Sequence, residues 1–199
     1  MPADVTTIQG ALADEGLDGW LFYDFRGSDP IGRRILGLGE RLATRRWFYC
    51  VPNRGEPRGL VSAVEPDALA GLPGRMHVYR TWDELQGGLA TVVAGLGRVA
   101  MQYSPRAEVP SVSLVDAGTV ELVRAAGVEV CSAADLIQRV EQMIMFGRDD
   151  DQFVAIGGIE RFGHADGIMS SEVPFMSLAD IVHVNLEPSR KCRGFSKAD

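Results

Sequence analysis

Between residues 4 and 142, short apolar runs alternate with stretches of helical periodicity, and this alternation most limits the folds open to the chain. Residues 4 to 16 read as an amphipathic helix, with Asp4 as cap, Val5, Ile8, Ala11 and Leu12 on one stripe, and Gly16 as stop. A strand at residues 20 to 23 and a short helix over 31 to 38, ended by Gly37 and Gly39, come next. Strand-like runs at 46 to 51 and 58 to 64 flank Pro52-Asn-Arg-Gly-Glu-Pro57, whose Pro, Asn and Gly chemistry is that of a hairpin connection. Residues 65 to 72 read as a short helix or turn, and 76 to 79 as a fourth strand. Thr81 opens a helix through Leu85, Leu89 and Val92, with Glu84 placed as a capping box requires. A strand at 98 to 103 and a Pro- and Ser-rich loop at 104 to 115 precede a helix through Val120 and Val123 that meets Gly127. A strand at 128 to 131 then leads to a last helix, which Ser132 caps and which carries Leu136, Ile137 and Val140. Such alternation around one hairpin predicts an α/β domain: a mixed β-sheet of about six strands with helices on both faces, followed by a short irregular or β tail.

Bulk properties narrow the function. The 199 residues are 46 % hydrophobic and 24 % charged, enough for one substantial core. A net charge of -7 argues against a nucleic-acid partner, because backbone recognition needs a basic surface. The basic cluster Arg190, Lys191, Arg193 and Lys197 reads as a solvated tail. No apolar stretch is long enough to span a bilayer, and no basic start precedes an apolar run, so neither membrane nor secretion is expected. Cys50, Cys131 and Cys192 form neither a disulfide framework nor a Cys-x-x-Cys site, which fits reduced thiols in the cytoplasm.

Chemistry-bearing side chains gather where the first strand ends. Asp24, Arg26 and Asp29 leave it within six residues. Two carboxylates and a guanidinium can therefore crowd a strand's carboxyl end, where the sites of layered α/β domains tend to sit. The structural alternative is an Arg-Asp pair that only pins the loop. Serine or cysteine nucleophile chemistry has no support, since no Gly-x-Ser-x-Gly elbow occurs. No Gly-x-Gly-x-x-Gly fingerprint succeeds a strand, so the fold class alone licenses no nucleotide.

After Gly147 the pattern changes. Arg148-Asp-Asp-Asp-Gln152 is a charge run without apolar periodicity, and Gly157, Gly158, Gly163 and Gly167 give the next stretch a loop-like character. One further strand is expected at 180 to 187, with Val182, Val184 and Leu186 on one face and Ile181, His183 and Asn185 on the other. A metal site built from His164, Asp166, Asp180, His183 and Glu187 would need ligands from opposite faces of that strand. Ordinary surface polar groups are the simpler reading.

Several segments together carry a family resemblance. Asp18-Gly-Trp-Leu-Phe-Tyr-Asp-Phe-Arg-Gly-Ser-Asp-Pro, Arg46-Trp-Phe-Tyr, Arg98-Val-Ala-Met-Gln-Tyr-Ser-Pro, Val115-Asp-Ala-Gly-Thr-Val-Glu-Leu-Val and Ser132-Ala-Ala-Asp-Leu-Ile-Gln resemble the N-terminal domain of creatinase/aminopeptidase P-type proteins, the Xaa-Pro peptidases. The resemblance implies a creatinase/prolidase-like N-terminal domain over residues 1–142, a linker over 143–152, and a remnant of the metallopeptidase catalytic domain over 153–199. Phe153-Val-Ala-Ile-Gly-Gly-Ile-Glu-Arg-Phe-Gly-His resembles the segment ending in a substrate-binding His, which puts His164 at that position. The stretch from Ser177 to Glu187, with Arg193-Gly-Phe-Ser-Lys-Ala-Asp, resembles the strand pair supplying the first two metal-binding aspartates. Asn185 then takes the first position, departing from Asp, and Asp199 the second.

As the resemblance has it, complete members hold two divalent ions (manganese, cobalt or zinc) with two aspartates, a histidine and two glutamates, so that a bridging water becomes a nucleophile. Asn185 cannot supply a bridging charge, and the remaining His and two Glu have not appeared by Asp199. The expectation is a truncated Xaa-Pro aminopeptidase/dipeptidase-like protein, without peptidase activity or bound cofactor on its own. The alternative is a non-catalytic binding or dimerisation module whose first loop offers Asp24, Arg26 and Asp29 to a partner. Another copy or a related chain is the partner expected in either case.

Overall fold

The computed structural model describes residues 4–39 and 43–146. Its strands are β1 (Gly19–Asp24), β2 (Trp47–Pro52), β3 (Arg58–Ser62), β4 (Arg75–Tyr79), β5 (Arg98–Met101) and β6 (Glu129–Ser132). Its helices are α1 (Val5–Asp14), α2 (Pro30–Leu36), α3 (Trp82–Val92), α4 (Ala117–Ala125) and α5 (Ala134–Phe146). The six strands form one sheet in the order β4-β3-β2-β1-β5-β6. β1 pairs parallel with β5, β5 with β6 and β3 with β4, while β2 runs antiparallel to both β1 and β3. The sheet is therefore mixed, as the hairpin at Pro52–Pro57 required. Its topology sends the carboxyl ends of every strand but β2 to a single edge, together with the amino end of β2.

Every residue of β1 and of β2 is buried, which explains why these runs carry aromatic residues on both faces rather than alternating with polar ones. On one face Leu21, Tyr23, Phe48, Cys50 and Leu60 pack with Leu85 and Leu89 of α3 and Val120 and Val123 of α4. The other face carries Trp20 stacked on Phe22 at 4.5 Å between ring centroids, and α1 lies there against β1, β2 and α5. Cys50, fully enclosed, has its thiol pushed up to about 12 by burial and behaves as a small hydrophobe.

Local chemistry fixes the helix ends. Asp4, Asp29, Thr81 and Asp116 each accept a hydrogen bond from a backbone N–H three residues on, relieving the unpaired donors of a first turn. Gly37 closes α2 in the left-handed region at φ 68°. Residues 65 to 72, read as a short helix or turn, form turns. Two details differ from the sequence reading. Glu84 reaches the N–H of Arg80, one residue before the cap, so half of the capping box is displaced. Ser132 still belongs to β6, although its hydroxyl accepts from Ala134 at the start of α5.

Candidate functional site

The loop leaving β1 folds back on itself and buries its carboxylates. Asp24 is fully enclosed and accepts from the backbone N–H of Asp29 at 2.8 Å and of Gly27 at 3.1 Å. Asp29, also fully enclosed, caps α2 by accepting from Gly32 N–H at 2.8 Å. A Cβ at position 32 would collide with the Asp29 carboxylate and the Phe22 ring, so only glycine lets α2 start this close to β1.

The sequence singled out Asp24, Arg26 and Asp29, and the first and last of these converge. The guanidinium beside Asp24 belongs to another residue, Arg33, one turn into α2. It stands 3.9 Å from Asp24 and donates to the Gly39 carbonyl at 2.8 Å. Arg26 sits in the left-handed region at φ 60° and turns outward, 5.6 Å from the Phe25 ring centroid. Burial, opposed by the Gly32 hydrogen bond and reinforced by the Asp24 charge, pushes Asp29 up to about 7. With Asp29 protonated, the enclosed cluster of two carboxyls and one guanidinium is neutral. The same region holds polar atoms without hydrogen-bond partners among the described residues: Asp29 Oδ2, Trp47 Nε1 and Gln102 Nε2. Trp47 stands directly across from Asp24 in the β1–β2 register.

Outside this enclosed cluster the strand end is aromatic and cationic. The Arg46 guanidinium lies 5.3 Å from the Phe25 ring centroid and 5.8 Å from that of Trp82. Both rings are exposed, Phe25 by 38 % and Trp82 by 52 %. Phe25 comes just after β1, Arg46 precedes β2 and Trp82 opens α3, so only the sheet order brings them together. No spacing in the sequence signals that meeting.

Could these residues hold the divalent pair that the resemblance implies? Both Asp24 oxygens already accept backbone N–H groups, and Arg33 supplies the neighbouring positive charge. No group of three or more His, Cys, Asp or Glu side chains able to hold a metal occurs among the described residues. The described residues therefore do not fit a two-metal centre. His164, Asn185 and Asp199, the strand expected at 180 to 187, and Asp166, Asp180, His183 and Glu187 lie outside the described residues.

No protein-family model and no curated protein matches the sequence. Solved structures do match. A Creatine_N superfamily domain of a dipeptidase from Streptococcus thermophilus aligns at TM-score 0.52 and 11 % identity, covering 68 % of this chain and 96 % of that one. The creatinase/prolidase N-terminal domain of an X-Pro dipeptidase from Streptococcus pyogenes aligns at TM-score 0.51 and 14 % identity, covering 67 % and 95 %. The prolidase from Pyrococcus horikoshii OT3 aligns at TM-score 0.47 and 13 % identity over 67 % of this chain and 33 % of its own, so the chain spans about a third of that protein's length. No helix among the described residues is long and apolar enough to cross a membrane. The mixed six-stranded sheet with helices on both faces has the fold of the creatinase/prolidase N-terminal domains of Xaa-Pro dipeptidases.

Proposed function

We propose that this chain is an Xaa-Pro peptidase-like protein whose described domain is a non-catalytic module, and that the 199-residue chain does not cut Xaa-Pro bonds alone. The observation that carries this reading is the match over 96 % and 95 % of two dipeptidase N-terminal domains, which supports a module that accompanies a hydrolytic centre. Metal-assisted hydrolysis needs enough carboxylate and imidazole donors to hold the ions and generate a nucleophile at neutral pH. Asp24 and Asp29 are committed to the loop after β1, and Asn185 offers a neutral amide where the resemblance implies a carboxylate. In this reading His164 and Asp199 do not complete a metal centre, and the chain works, in the cytoplasm, by associating with a second copy or a related chain. Incubating the purified chain with Xaa-Pro dipeptides and tripeptides plus manganese or cobalt is expected to give no turnover above the protein-free blank. Turnover that scales with chain concentration and disappears in Asp199→Asn would overturn the reading.

A second reading, a binding module, is favoured by the Arg46 guanidinium between exposed Phe25 and Trp82. Trp and Arg are the residue types in which binding energy concentrates. The surface on offer would then be Phe25, Arg26, Arg46 and Trp82, with Asp24 and Asp29 as its buried support. Co-elution with a full-length Xaa-Pro peptidase, weakened by Trp82→Ala, is the expected result, and the absence of any complex would sink it.

A further inference from the structure

β4 pairs with β3 along one side only among the described residues. Arg75 N–H donates to the Pro57 carbonyl at 3.0 Å, and the Tyr79 carbonyl accepts from Ala63 N–H at 2.8 Å. Residues 75, 77 and 79 therefore turn their backbone groups toward β3, and Met76 and Val78 turn theirs away from the sheet. Among the described residues β4 is an end strand of the sheet, and it carries no proline or lysine; its one ordinary charge is the exposed Arg75 at its start. Exposed apolar residues concentrate around it. Val78 on the strand is 45 % exposed, Val64 just beyond β3 is 67 % exposed, and Trp82 just beyond β4 is 52 % exposed.

We propose that two copies of this chain associate through β4, antiparallel and two-fold about His77, so that their sheets become continuous. This rests on the association half of the function proposed above. In that register Met76 faces the partner's Val78, and each such pair exchanges both of its backbone N–H···O bonds. Their side chains share one sheet face, opposite the buried Tyr79, so the two-fold places an apolar cross-strand group over the exposed Val78. Arg75 comes opposite the partner's Tyr79 rather than a second arginine, and the Trp82 end of one strand meets the Arg75 end of the other, a cation–aromatic match. A parallel in-register pairing would instead set Arg75 beside its own copy. Five paired residues alone fall short of the roughly 1,200 Å² of a stable interface, which is why Val64 and Trp82 belong to the surface.

Sedimentation velocity of the full chain across a concentration series, with circular dichroism as a folding control, tests this. A concentration-dependent dimer is expected, weakened about tenfold or more by Val78→Lys and unchanged by Met143→Lys, an exposed apolar site on α5. The register has its own readout. His77→Cys puts two sulfurs across a non-hydrogen-bonded pair about 4.5 Å apart at Cα, and mild oxidation should link the copies, whereas Arg75→Cys should not link. A dimer that resists Val78→Lys and does not link through position 77 overturns the β4 surface and leaves association standing. A chain that stays monomeric at every concentration overturns both.

Discussion

At the residue scale the buried Asp29 makes the most specific demand. Its carboxyl is pushed up from 3.8 to about 7, chiefly by burial. The folded state therefore binds a proton there that the unfolded state has released, and between those values stability falls as pH rises. The contribution is fully present below about pH 4 and lost as pH passes 7; the elevation corresponds to roughly 4 kcal/mol of preference for the protonated form. Asp29→Asn keeps an oxygen to accept from Gly32 and cannot ionise. Urea denaturation of this variant at pH 4.5 to 8 is expected to give a nearly flat stability profile where the parent declines. Equal slopes in the two proteins would show that Asp29 is ionised in the folded state. Arg33 opposes this rise, but as the smallest of the influences on Asp29; its guanidinium stands 3.9 Å from Asp24 and so serves two carboxyls with one charge.

Elements were more legible than their meetings. Asp4, Thr81, Gly37 and the Pro52–Pro57 hairpin act locally, through groups within a few residues of one another, so their consequences can be read along the chain. The six strands and five α-helices were recoverable on that basis. Arg33 was not. Arg26 is nearer in sequence to both aspartates, but the left-handed turn at Arg26 and Gly27 throws its side chain outward and lets α2 carry Arg33 back over β1. Likewise nothing in the residues around 58 to 79 tells β3 and β4 to pair in parallel across a connection made of turns, because strand direction depends on what lies on either side. The Phe25, Arg46 and Trp82 contact depends on strand order, and strand order is a property of the whole sheet.

At the scale of the whole molecule, the two cores share one sheet, and this limits how the domain can come apart. β1 and β2 are buried on both faces, so removing either set of helices exposes the strands that hold the other set. Unfolding of residues 1–147, the compact unit to which the described core belongs, should therefore be a single cooperative transition. Two observers can be placed on it independently. Trp20 and Trp47 lie enclosed in β1 and β2 and report packing through their fluorescence, whereas far-ultraviolet circular dichroism reports the helices of both faces. A fragment ending at residue 147 is expected to fold and to show coincident midpoints by the two probes. An unfolding enthalpy on the order of 100 kcal/mol, equal by calorimetry and by van't Hoff analysis, should accompany it. Separated midpoints would mean that one helical layer melts while the sheet survives, and a fragment without structure would mean that the sheet needs residues beyond it. Coincidence instead makes the central strand pair the element on which both layers, and the polar cluster at the end of β1, depend.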